Sequence, residues 1–204
     1  MADLFTEFLA ALRHTTPTEA AGTATGVACV LLAARNSIWN FPVAIVSCAL
    51  YLFVFIDARL YFDAGLQVAF IGLAAYGWRA WQQRRGAAAP ELPITSTRGH
   101  LWGVLTALGL AFALGAGYLS GRYTDAALPY YDSSTTAVSL MAQYLLSRRK
   151  IENWLLWIGV DVVYVGMYWQ RGLVLTMLLY AAYLGLAAYG YWEWRRAARR
   201  PAIA

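Results

Sequence analysis

The chain has 204 residues, 60% of them apolar and only 13% charged, with a mean hydropathy of +0.48 and a formal net charge of +5. A soluble domain carries about 25% charged residues, so this composition points to a membrane protein rather than a water-soluble enzyme. The basic excess gives no reason to expect a nucleic-acid partner, because it follows the ends of the apolar segments.

Residues 1–17 form a mildly acidic segment without the basic start of a cleavable signal, and are expected on the outer side. Apolar stretches long enough to cross a hydrocarbon core of about 30 Å follow at 18–35, 39–56 and 64–81. A connection at 82–98 holds Pro90 and Pro93, lacks apolar periodicity and reads as flexible. A fourth stretch runs over 99–119. The loop after it ends in Asp132-Ser133, either of which suits the N-cap of a fifth helix over 132–147. The last two stretches are 153–169 and 173–194, and 195–204 is a basic tail. Continuous apolar runs rather than alternating ones exclude a barrel, and lipid forces the backbone to bond within each segment. The expectation is an all-α integral membrane protein of seven transmembrane helices.

The hexapeptide Gly-Leu-Ala-Ala-Tyr-Gly occurs at Gly72–Gly77 and again at Gly185–Gly190. Laying 35–81 over 148–194 without a gap gives identity at 15 of 47 positions, among them Arg35/Arg148, Asn40/Asn153, Tyr51/Tyr164 and Trp81/Trp194. The chain therefore reads as two related three-helix units, 18–81 and, with its preceding loop, 120–194, joined by an unpaired fourth helix. Four crossings separate equivalent helices, an even number, so the units run parallel in a 3+1+3 arrangement of the kind found in SWEET proteins. Seven crossings put the termini on opposite sides. The side of the C-terminus then holds Arg35, Arg79, Arg84, Arg85, Arg98, Arg148, Arg149, Lys150, Arg195, Arg196, Arg199 and Arg200, which is 12 of the 16 basic residues. By the positive-inside bias the C-terminus is cytoplasmic and the N-terminus outside.

The chemistry-bearing residues are few. Cys29 and Cys48 read as small apolar residues, and His14 and His100 as surface residues. There is no metal-ligand spacing, phosphate loop or nucleophile–base pair, so neither an enzyme nor a cofactor is expected. Asp161, in the middle of the sixth helix, costs about 2.5–3.5 kcal/mol to insert, and such a residue is a functional candidate by default. Trp157, Asp161 and Tyr164 share one helical face, with Trp154 a turn earlier. That face suits a flat, polar or cationic ring. Gln67, its repeat-mate Tyr180, and Gln143 are further inward-facing candidates, although bonding between helices would account for the amides equally well. Asn40 and Asn153, with Trp39 beside the first, start the second and sixth helices and read as an inner gate or as helix caps. The most faithfully repeated residues lie toward the cytoplasmic ends and suit packing. The candidate substrate contacts are positions where the copies diverge, such as Gln67 against Tyr180 and Asp161 against Cys48.

Trp39-Asn40-Phe41-Pro42, Leu60-Tyr61-x-Asp63-x-x-Leu66-Gln67, Tyr76-Gly77-Trp78-x-x-Trp81 and Glu152-Asn153-Trp154-Leu155-Leu156-Trp157 resemble the PnuC family of bacterial vitamin transporters, over roughly residues 20–194. The resemblance implies a full-length SWEET-like fold, a homotrimer in the bacterial inner membrane, and import of nicotinamide riboside by facilitated diffusion, with trapping by a separate cytoplasmic kinase. It also implies binding roles for Gln67, Asn40, Asn153, Trp154 and Trp157. Thiamine or riboflavin is the alternative cargo within the family. A membrane scaffold or sensor is the alternative outside it.

Overall fold

The computed structural model describes residues 17–57, 61–83, 92–124 and 128–199. Among them are seven helices: α1 (Pro17–Ala34), α2 (Asn40–Asp57), α3 (Tyr61–Gln82), α4 (Gly99–Tyr123), α5 (Pro129–Ser147), α6 (Asn153–Gln170) and α7 (Val174–Ala198). The helix count of the sequence reading holds, and all seven begin within three residues of their expected starts. Judged alone, α2 and α4 are long and apolar enough to cross a membrane. The other helices are diluted by the polar residues that line the interior. The acidic segment expected at 1–17 lies almost wholly outside the described residues.

Three expectations change. Helix α5 starts at Pro129, with Leu128 at the N-cap and no side-chain cap bond, so neither Asp132 nor Ser133 caps it. Proline's fixed φ and missing N–H suit the first helical position. Ser133 instead donates to the Ala113 carbonyl of α4 at 2.8 Å. The start of the basic tail is not a separate segment, because α7 runs through Arg195 and Arg196 to Ala198. The second part of the 82–98 connection, residues 92–98, is pinned rather than loose. Thr95 N donates to Arg149 O and Ile151 N to Thr95 O, each at 3.1 Å. The Glu152 carboxylate accepts from Thr97 N at 3.0 Å and Thr97 Oγ1 at 2.8 Å. Lys150 Nζ reaches Thr95 Oγ1 at 2.7 Å, and Arg149 donates to Leu92 O. Residues 92–98 thus form a strap across the α5–α6 turn. Such backbone pairing leaves no hydrophobic period in the sequence.

Six helices close into a ring. Helix α2 packs between α1 and α3, α6 packs between α5 and α7, and the two sets meet where α1 touches α7 and α3 touches α5. Under the repeat, α1 corresponds to α5 and α3 to α7, so these two joints are equivalents of each other. Helix α4 packs on α5 alone among the described helices. Its outward side shows Leu108, Leu110, Leu114 and Tyr118, an apolar face that suits lipid.

The repeat extends to the turns. Asn36 and Arg149, which are repeat-mates, both adopt left-handed φ values, 57° and 50°. Ser37 N donates to Leu32 O and Lys150 N to Leu145 O, both at 2.9 Å. A left-handed residue followed by this six-to-one bond is the Schellman closure of a helix. It turns the chain sharply enough to start α2 and α6 within a few residues.

Candidate functional site: a cavity closed at one end

The ring is shut at the end that carries Arg35 and Arg148. Trp81 and Trp194 are 4% and 0% exposed, with ring centroids 6.3 Å apart. Each binds across a joint between the two sets of helices. Trp81 Nε1–H donates to Ser147 O of α5 at 3.2 Å, and Trp194 Nε1–H donates to Ala33 O of α1 at 3.0 Å. Each also meets an aromatic ring edge-on, Phe41 at 5.0 Å and Trp154 at 5.6 Å. Phe41 and Trp154 are themselves repeat-mates. The second glycines of the hexapeptides make this possible. A Cβ on Gly190 would lie 2.6 Å from Trp154, and one on Gly77 would collide with Phe41 and lie 2.8 Å from Ser147 Oγ. Ala33, Ala34, Ala74, Ala187 and Leu146 complete a dry plug. On one side only, the Arg149 guanidinium lies over Trp81 at 4.2 Å from the ring centroid.

Above the plug is a cavity of about 1140 Å³. Its floor is Ala33, Leu146, Trp154 and Ala187, and its far end reaches Thr124, Pro129, Asp132 and Arg171. From Trp154 to Arg171 the lining follows α6 for about 25 Å at 1.5 Å per residue. The volume slightly exceeds the roughly 300–1,000 Å³ of most small-molecule sites, as befits a cavity that also contains its own entrance.

The structure brings Trp157, Asp161, Tyr164, Gln67, Gln143 and Tyr180 together on this cavity, with Trp154 at its floor. Asp161 is 5% exposed, and among the described residues no hydrogen bond to its carboxylate is found. Tyr164 donates to Thr135 Oγ1 at 3.2 Å. Its ring centroid lies 4.6 Å from that of Tyr180 and 5.9 Å from that of Tyr168. Tyr183 stands edge-on to Tyr180 at 5.9 Å. Tyr168 and Tyr183 were not picked out from the sequence, yet both line the cavity. The signal was present: Tyr168 extends the Trp157–Asp161–Tyr164 face by one further turn, and Tyr183 stands one turn beyond Tyr180.

Asn40 and Asn153 do not line the cavity. Both are fully buried, and their Nδ2 groups donate to the carbonyls of Ser37 at 2.6 Å and Lys150 at 2.7 Å. They tie down the two turns beneath the plug, while each Oδ1 has no hydrogen-bond partner among the described residues. Trp39 is 65% exposed, against Ile38, Pro42, Trp78 and Gln82 on the outer face of the ring. Successive helical residues point about 100° apart, so burying Asn40 turns its neighbour outward, away from the cavity.

A family model described as the nicotinamide mononucleotide transporter matches residues 16–196. The chain belongs to this family. The nicotinamide riboside transporter PnuC of Escherichia coli (strain K12) is 28% identical over 205 residues, which cover 89% of this chain and 86% of that one. The riboflavin/roseoflavin transporter RibM of Streptomyces davaonensis is 28% identical over 192 residues, covering 92% and 89%. A crystal structure of the vitamin B3 transporter PnuC superposes with a TM-score of 0.73 at 23% identity, over 98% of this chain and 89% of that one. The seven-helix all-α fold is thus shared with a solved transporter, and the family is one of transporters rather than enzymes.

Proposed function

We propose that this protein is an inner-membrane carrier that imports nicotinamide riboside by facilitated diffusion, with the product trapped by a separate cytoplasmic kinase. The observation that carries this reading is the cavity itself. It is large enough for a nucleoside, is lined by Trp157, Tyr164 and Tyr180, and ends on a plug made of repeated aromatic residues. Trp157 and Tyr164 stack on the ring of the cargo, with Trp154 below. Asp161, Gln67 and Gln143 accept or donate hydrogen bonds, and Tyr180 closes the side. The plug is the inner gate, and Asn40 and Asn153 hold its turns in place. The units 18–81 and 120–194 run parallel about an axis along the membrane normal, in a 3+1+3 SWEET-like plan, and rock against each other to alternate access. The basic ends of the helices support a cytoplasmic C-terminus and a periplasmic N-terminus. The cavity then opens outward and the plug faces the cytoplasm. Assembly as a homotrimer belongs to the same reading.

Purified protein in liposomes should let labelled nicotinamide riboside equilibrate, and concentrate it only when kinase and ATP are enclosed. Failure of the label to enter faster than in empty liposomes would end this reading. The similarity to RibM favours a second one, in which a flavin is the cargo. Uptake of riboflavin but not of nicotinamide riboside by the same liposomes would select it.

A further inference from the structure

Asp161 is the acid set deep in the cavity wall. It is 5% exposed and lines the cavity, and among the described residues no hydrogen bond to its carboxylate is found. An acid within a membrane-crossing helix that faces a cavity is a functional site by default. The other charged groups on the cavity are Asp132 and Arg171, both at the far end. Arg171, at the C-cap of α6, is ten residues further on, about 15 Å of helix, too far to pair with Asp161. Among the described residues no cation on the cavity is therefore in place to pair with Asp161.

The surroundings are equally one-sided. Trp157 and Tyr164 flank Asp161 on α6, and Tyr180 and Tyr183 of α7 line the same cavity. Aromatic faces and a carboxylate together attract a cation whose charge is spread over a ring. The repeat-mate of Asp161 is the neutral Cys48, and the mate of Trp157 is Ala44. Only one wall of the cavity is built this way.

We infer that Asp161 is a charge selector, admitting ligands whose flat ring carries a permanent positive charge and rejecting neutral rings of the same shape. This rests on the reading of the cavity as the cargo site. Selection works by difference: a ring cation supplies the partner that Asp161 lacks, whereas a neutral ring leaves the carboxylate unpaired.

Nicotinamide riboside and its dihydro form make a suitable pair of probes. They have nearly the same outline, but the ring is cationic in the first and neutral in the second. Calorimetric titration of the purified full-length protein should show the cation binding at least tenfold more tightly. Asp161→Asn should bring the two affinities within about threefold, by weakening the cation alone, and Asp161→Glu should restore most of the preference. Gel-filtration profile and thermal midpoint would check that each variant is folded. Equal affinities in the wild type, or a preference unchanged in Asp161→Asn, would overturn the inference. If neither nicotinamide compound binds but thiamine does, the cargo reading fails while the selector is still decided, by comparing thiamine with neutral deazathiamine. Binding of riboflavin alone, or of none of these ligands, would overturn both.

Discussion

At the closed end of the ring, Trp81 and Trp194 perform one task twice. Each indole donates across a joint to a carbonyl at the end of the first helix of the opposite set, and each meets the ring edge of a repeat-mate, Phe41 or Trp154. A few turns away, in the cavity, the same two units share little. Ala44 faces Trp157 across the repeat, Cys48 faces Asp161, Gln67 faces Tyr180, and Phe70 faces Tyr183. Closure is a mechanical task that two equal halves can share, because the joints α1–α7 and α3–α5 are equivalent. Recognition is of one asymmetric molecule, and two equal walls would recognise nothing in particular about it. Duplication supplied the symmetry, and it persists where the two sets of helices meet.

The comparison can be broken most forcefully in the cavity. Trp157→Ala should cost about 1–3 kcal/mol of ligand binding, the usual worth of a ring stacked on an aromatic side chain, and leave the thermal midpoint nearly unchanged. Its mate variant Ala44→Ser should change affinity far less. Equal losses in a titration of the two variants would mean that the walls are not specialised.

At the closed end the expected effects are on stability and come in matched pairs. Gly190→Ala and Gly77→Ala should each destabilise by about 1–3 kcal/mol, as overpacking does, because the added carbons strike Trp154 and Phe41. The first glycine of each hexapeptide is an internal control. Gly72 and Gly185 have nothing within 4 Å of an added Cβ, so alanine there should stabilise by up to about 1 kcal/mol, its advantage over glycine inside a helix. Thermal unfolding in detergent would read both signs. Stabilisation by Gly190→Ala would show the plug to be loosely packed.

Trp81→Phe and Trp194→Phe should each lose about 1 kcal/mol, a typical net value for one hydrogen bond. Cysteine labelling from the plug side should then reach the cavity more readily in both. The smallest effect is expected at Gly26, where an added Cβ would lie 2.7 Å from the Tyr183 hydroxyl. Gly26→Ala should push that hydroxyl toward the ligand, weakening binding several-fold at nearly unchanged stability.

Much of this was legible in the sequence. Apolar run length set the seven helices, because lipid leaves few alternatives. The ungapped repeat spans both turns, and their left-handed residues, Asn36 and Arg149, show only in the structure. The cost of a polar group in lipid singled out Asp161 and Gln67, the copies diverge at both, and both line the cavity with Tyr180. What failed to show was decided by contacts between distant segments. Residues 92–98 carry no period because they pair through backbone amides and through Glu152 and Lys150. The buried amides of Asn40 and Asn153 bond three residues back, a choice made by the turn. Trp39 looked like a gate residue by adjacency alone, and helix phase sent it outward.

The strap makes the halves of the protein unequal in membership. Leu92–Thr97 is bonded to Arg149, Lys150, Ile151 and Glu152, and α4 follows it directly onto α5. The fourth helix thus belongs with the second unit, and the strap does not hold the two halves together. That task falls to the two indole bonds, to those from Ser147 to the Leu73 carbonyl and from Arg148 to the Tyr76 hydroxyl, and to the packing around them. Residues 1–83 and 92–204, expressed as separate chains in one cell, should find each other and restore uptake. The break between two interchangeable parts of this carrier would then lie between the third helix and the strap, with three helices on one side and four on the other.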